Sequence, residues 1–300
     1  MNITQNQYNP TSDYTRVSEF LTRHYQPENR DGNWLEPIWE YMNGHPYLIR
    51  SNLPKIGLWE NEQEILGVCH FETRMGDAFF QFHPQHHELR DEMLSYAENN
   101  LVSVNDAGKK YLWVYVNDFD IPFQEAVKEK GYHRKPEEDR PLYKMDIPNP
   151  FPSIPIQDGI TIQSIADETN WEKVHRVMWR GFNHEGEPPM TPEALLERQC
   201  MFETPKANMN IKIVAVNEQG DFVSICGMFY AETNHFALVE PVATDPDYRR
   251  KGIGRATVME GIRRCAELGA TVAYVGSDQL FYQSMGFTFD YNCECWEKIF

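Results

Sequence analysis

The stretch VATDPDYRRKGIGRA, residues 242–256, decides how this chain is read. Arg249, Arg250, Lys251 and Arg255 surround Gly252 and Gly254, in a chain of 300 residues with 45 acidic and 28 basic side chains. The stretch leaves an apolar run that reads as a strand and enters GIGRATVMEGIRRCAELG, which reads as a helix. A strand-to-helix turn presents unpaired amides and the positive end of a helix dipole, a seat for an anion. Gly252 and Gly254 permit dihedrals and a close approach that a Cβ would block, so the amides of Arg250 through Arg255 fit around a pyrophosphate. The spacing matches neither G-x-x-x-x-G-K-[ST] nor G-x-G-x-x-G, the loops of triphosphate and dinucleotide binding.

The rest of the composition narrows what that anion is. A net charge of −17 repels phosphate backbones over most of the surface, so nucleic acid is not an expected partner and a small phosphorylated ligand is. No apolar run is long enough to span a membrane, and the start MNITQNQYNPTSDY lacks a basic n-region and an apolar stretch. A soluble, cytoplasmic protein is therefore expected. The six cysteines have no C-x-x-C spacing and are read as reduced thiols. His83, His86 and His87 gather in FHPQHHEL without a carboxylate or cysteine to complete a set, so this is read as a surface helix entry and no metal is expected.

Length favours two domains. Pro148, Pro150, Pro152 and Pro155 deny the backbone donors that a helix or central strand needs, which places a linker at 148–158 between domains 1–147 and 159–300. Each half alternates helix and strand patterns in a similar order. FHPQHHELRDEM in the first half takes the place of TDPDYRRKGIGRA in the second but lacks its glycines and basic cluster. Two closing strands are expected near FTFD and CWEKIF.

RRKGIG has the form R/Q-x-x-G-x-G, and FYQSMGF follows it after a helix and a strand. With these two motifs the second half resembles the GCN5-related N-acetyltransferase superfamily, and the whole chain resembles its tandem members with a degenerate N-terminal copy. The resemblance implies an α+β, α/β/α layered fold: two tandem acyl-CoA N-acyltransferase-like domains, each a mixed, mostly antiparallel sheet flanked by helices. It implies acetyl-CoA as co-substrate and a small-molecule amine as acceptor, with direct transfer in a ternary complex. A non-catalytic acyl-CoA-binding or regulatory module is the alternative.

By the same resemblance Arg249, Arg250, Lys251, Gly252, Ile253, Gly254 and Arg255 hold the pyrophosphate. Val242, Ala243 and Thr244 bond the pantetheine arm like an added strand, on a strand expected to carry a bulge and splay from its neighbour. Tyr282 is the acid for the departing thiolate, and an amide of Val242 or Ala243 meets the oxyanion. Glu240 is the first choice of base, with a structural or substrate-anchoring carboxylate as its other reading. His184, Glu185 and Glu187 border the acceptor pocket and suit a cationic acceptor. Where many relatives carry an asparagine before the tyrosine this chain has Val275, and Ser277 and Asp278 are the residues that cap the short helix or replace that contact.

Overall fold

Apolar periods of two and of 3.6 become strands and helices across residues 2–27 and 33–300, which the computed structural model of the chain describes. The chain divides into two units. The first comprises Met1–Met42, Tyr47–Leu142 and Asp290–Phe300, and the second Asn43–Pro46 and Tyr143–Phe289.

The elements of the first unit are β1 (Thr4–Gln7), α1 (Tyr14–Arg23), α2 (Glu36–Gly44), β2 (Gly57–Glu60), β3 (Ile65–His70) and β4 (Asp77–Phe82). There follow α3 (Arg90–Asn100), β5 (Ser103–Val104), β6 (Lys110–Asn117), α4 (Ile121–Glu129) and β7 (His133–Arg134). Strands β3 and β4 are buried along their whole length, and Trp39, Trp59, Phe71 and Leu94 lie in the core around them. Burial of these rings is the main favourable term for this unit. Strand β1, TQNQ, is exposed at every position and carries no apolar period, so its backbone pairing with β2 alone makes it a strand.

In this unit the parallel pairing of β4 with β6 covers only Asp77↔Trp113 and Ala78↔Val114. The rings beyond it fill the space. Phe79 stacks on Tyr115 at 4.5 Å, and Phe123 sets its edge against Phe80 at 5.0 Å and Phe82 at 5.8 Å. Arg90, at the start of α3, makes a two-pronged ion pair with Asp120 at 2.8 Å. The strand-to-helix turn of this half is therefore closed by its own side chains.

Strand β8 (Arg140–Asp146) carries the chain into the second unit, and residues 147–159 form neither helix nor strand. Then come β9 (Ile160–Ser164), α5 (Trp171–Gly181), α6 (Pro192–Phe202), β10 (Ile213–Asn217), β11 (Phe222–Ala231), β12 (Phe236–Thr244), α7 (Ile253–Leu268), β13 (Val272–Val275), α8 (Leu280–Gln283) and β14 (Thr288–Ile299). The sheet order here is β8-β13-β12-β11-β10-β9, antiparallel except for β12 with β13. Val258, Met259, Ile262 and Cys265 of α7 pack on Cys226, Met228 and Val239, while α5 packs on β11 and β12 as well. Mixed sheets flanked by helices are the architecture expected.

Two expectations about the chain's course need correction. The closing segment is one strand, β14, where two were expected. Its residues Asp290–Phe300 belong to the first unit, which the expected limits 1–147 and 159–300 did not allow. The reason is pairing: Cys293↔Asn117 through Ile299↔Tyr111 are partners along β6, and Trp296 is buried in the first core.

Candidate functional site

Strand β12 loses a neighbour halfway along. Its pairing with β13 runs from Phe236↔Val272 to Leu238↔Tyr274 and stops, so Val239–Thr244 faces an opening on that edge. On the other edge the register with β11 slips between Cys226↔Val242 and Met228↔Val239, which gives β12 one extra residue at Glu240 and Pro241. Pro241 has no N–H to give a ladder. Gly227 lies opposite, and a Cβ there would stand 2.5 Å from the Glu240 carbonyl oxygen and 2.6 Å from the Pro241 ring. The bulge and the splay expected on this strand are both present.

The ladder also sorts the amides. The Asp245 N–H donates to the Val223 oxygen at 3.0 Å. Alternate residues of an antiparallel pair exchange both bonds, so Ala243 commits its groups to Ile225, and Val242 and Thr244 turn theirs to the open edge. The Ser224 hydroxyl adds a bond to the Ala243 carbonyl at 3.2 Å. Of the two amides expected to meet an oxyanion, this leaves Val242 and removes Ala243.

Helix α7 begins at the end of that opening. Gly252 is its N-cap at φ 79 with no side-chain cap, and Arg250 before it has φ 59. A Cβ on Gly252 would meet nothing within 4 Å, so glycine serves the dihedral there. At Gly254 it serves space: a Cβ would stand 2.8 Å from the Thr244 hydroxyl. Ile253 lies under the loop, buried against Ala215 and Val223. The first-turn amides and the helix dipole together favour an anion at this end.

The four cations of the loop divide into two pairs. Arg249 donates from Nε to the Thr244 carbonyl at 3.0 Å and from a terminal nitrogen to the Gly181 carbonyl at 2.7 Å. Arg255 donates to the Ser284 carbonyl at 2.9 Å. These two side chains brace the loop through carbonyl groups. Lys251 lies over the Tyr248 ring at 5.1 Å, and Arg250 is exposed.

Tyr282, on α8, is 8 % exposed and packs against Phe281 and Phe287. Burial, then the neighbouring Cys226 and Glu240, push its phenol well above the usual range, so it keeps its proton. Burial raises the Cys226 thiol too, with Cys265 and Glu240 adding to it and Lys212 opposing. Cys226 and Tyr282 share one core cluster, and Glu240, in the bulge of β12, is near enough for its charge to raise both groups. Val275 is buried, and the Ser277 hydroxyl accepts the Gln279 N–H at 3.4 Å ahead of α8.

His184, Glu185 and Glu187 lie exposed in the loop after α5. The His184 ring sits 4.5 Å from Trp179, whose indole donates to the Gly186 carbonyl at 3.1 Å. Sequence reading passed over Gly181 and Gly227. A Cβ on Gly181 would stand 2.7 Å from the Ala243 Cβ, so the end of α5 presses on β12 at the site. The signal available was a glycine closing an amphipathic helix.

Comparison with known proteins agrees with this geometry. The family profile described as an acetyltransferase (GNAT) domain matches residues 210–289. Among solved structures, a GCN5-related N-acetyltransferase from Sphaerobacter thermophilus is 14 % identical with a TM-score of 0.66, over 99 % of this chain and 95 % of that one. A tandem GNAT protein from the clavulanic acid biosynthesis pathway, without AcCoA, is 11 % identical with a TM-score of 0.60, over 99 % and 98 %. A GCN5-related glucosamine N-acetyltransferase region of a fungal multi-domain GH3 beta-N-acetylglucosaminidase is 16 % identical at 0.57, over 99 % of this chain and 38 % of that one. No curated protein sequence matches the chain. Residues 210–289 therefore match the GNAT acetyltransferase domain profile, and the chain as a whole has the fold of the GNAT proteins it resembles.

Proposed function

We propose that the second unit transfers the acetyl group of acetyl-CoA to a primary amine of a small molecule, directly and within a ternary complex. One observation carries this reading: β12 parts from β13 and bulges at Glu240 and Pro241, and the opening so made ends at the uncapped start of α7. A loop that only bound an acyl-CoA would not need a proton donor such as Tyr282 beside the opening.

The residues divide the work as follows. The amides of Gly252, Ile253, Gly254 and Arg255, with Arg250 and Lys251, hold the pyrophosphate, and Arg249 and Arg255 keep the loop in shape. The outward Val242 carbonyl and Thr244 N–H bond the pantetheine amides as an added strand would. Glu240, directly or through water, takes a proton from the ammonium form of the acceptor. The amine nitrogen then attacks the thioester carbon, and the Val242 N–H stabilises the oxyanion. The C–S bond breaks as the carbonyl reforms, Tyr282 gives its proton to the leaving thiolate, and the surplus proton of the attacking nitrogen passes through water to the Tyr282 oxygen, which restores the phenol and leaves one proton on Glu240 to be released to solvent. Glu185 and Glu187 favour approach of a cationic acceptor. The first unit, whose own turn is filled by Phe123 and the Arg90–Asp120 pair, takes no acetyl-CoA in this reading.

The test is release of free thiol from acetyl-CoA across a panel of small amines, for the wild type beside Tyr282→Phe and Gly254→Glu. Amine-dependent release that falls in both variants supports the reading. Tight binding of acetyl-CoA with no turnover on any amine would overturn the transferase in favour of a binding module, and no binding at all would remove both.

A further inference from the structure

Three side chains from distant parts of the first unit meet at one point. His24 caps the end of α1, Glu64 precedes β3, and His83 follows β4. One nitrogen from each imidazole and one Glu64 carboxylate oxygen lie within 4.8 Å of one another. His83 Nε2 stands 3.9 Å from Glu64 Oε1, with the two side chains 15 % and 31 % exposed. The ring of His24 is 4.6 Å from that of His83. We propose that His24, Glu64 and His83 form a binding site for a divalent transition-metal ion, which clasps α1, the β2–β3 turn and the exit of β4 within the first unit.

The donor set selects the ion. Two imidazoles and one carboxylate suit zinc, nickel, cobalt or copper, whereas magnesium and calcium take oxygen alone. Metal–ligand bonds of about 2.0–2.2 Å put the donor atoms of one ion roughly 3.5 Å apart, so the present spacing closes with small side-chain rotations. The second Glu64 oxygen accepts from Arg23 at 3.2 Å, an outer contact of the kind that orients a ligating carboxylate. His86, its ring 5.2 Å from His83 and its Nδ1 on Glu88 at 2.8 Å, stands at the rim of the site.

The structure also says what binding must change. His83 Nδ1 accepts the Gln85 N–H at 3.1 Å, which leaves the ring proton on Nε2, facing Glu64. Ligation through Nε2 moves that proton to Nδ1, and ligation through Nδ1 occupies the acceptor. Either way the bond from Gln85 is lost. The sequence reading expected no metal here because it saw only the local run around His83.

The experiment is a zinc titration by calorimetry on the full chain after chelator treatment, with amide exchange followed at Gln85. One zinc per chain is expected, with Kd raised at least about 10-fold in Glu64→Gln and in His24→Asn. The exposed His133→Asn is expected to bind as the wild type does. The Gln85 amide of the wild type is expected to exchange faster with zinc bound. Equal affinity in wild type, Glu64→Gln and His24→Asn would overturn the proposal, as would absence of zinc binding. Should a variant fail to fold, Gln85 exchange in the wild type decides, and exchange unmoved by zinc would overturn it.

Discussion

Gly227 and Glu240 are locked together: a single methyl group on Gly227 would stand 2.5 Å from the Glu240 carbonyl oxygen. The bulge that places Glu240 and the missing side chain opposite it are one feature. Both partners are backbone or ring atoms, so the strain of Gly227→Ala has no flexible side chain to absorb it. The substitution is expected to destabilise the second unit by about 1–3 kcal/mol and to lower thiol release, read from urea midpoints and initial rates.

Tyr282→Phe removes the proton donor and keeps the ring packed on Phe281 and Phe287. A loss in kcat of roughly 10²–10⁴ is expected, the usual range for a positioned acid, with KM for acetyl-CoA little changed. Burial holds the phenol above its usual range, so its ionisation is not expected to produce an alkaline limb in the wild-type profile below about pH 10. A rise in KM for acetyl-CoA with kcat little changed would point to a packing role.

The two pairs of loop cations should respond differently to salt. Arg250→Ala and Lys251→Ala remove charge that faces the anion, so acetyl-CoA affinity should drop and its dependence on ionic strength should flatten. Arg249→Ala removes bonds to the Thr244 and Gly181 carbonyls. Affinity should drop there too, with a smaller change in the salt slope. Measuring Kd at several ionic strengths separates the cases.

Gly254→Ala is expected to weaken acetyl-CoA binding, because its Cβ would meet the Thr244 hydroxyl at 2.8 Å. Since the obstacle is one side-chain atom, Thr244→Ala in the same chain should restore part of the loss. Calorimetry on the two single variants and the double variant checks this, and a double variant as weak as Gly254→Ala alone would place the cause elsewhere.

His70 gives the first unit an acid limit. It is fully buried and neutral, with Nδ1 on the Phe71 carbonyl at 2.9 Å and Nε2 on Gln81 at 3.0 Å. Burial lowers its pKa from 6.5 to about 4, against smaller opposing effects of the Phe71 carbonyl and Glu72. The unfolded chain takes up a proton at a pH where the native unit refuses one. The stability from the neutral ring is therefore whole above pH 6.5 and is lost as pH falls towards 4. The loss should be about 3 kcal/mol across that window, and His70→Gln should flatten it in urea titrations.

What the sequence by itself determined were the features that short stretches encode. The glycine turn at 252–254, the helix of α7, the short helix bearing Tyr282 and the interrupted strand at Pro241 follow from dihedral preference, apolar period and missing donors. Tertiary structure alone decided the rest. Strand β1 has no apolar signal and exists through its bonds to β2. Residues 290–300 go to the first unit because β6 offers a free edge there. The carbonyl groups of Gly181 and Ser284 that Arg249 and Arg255 bond lie far from them along the chain, so only the fold reveals those contacts. The same holds for His24, Glu64 and His83, which no window along the chain contains together. Local preference acts over a few residues, whereas pairing partners and side-chain neighbours are chosen by which surfaces the folded chain leaves open.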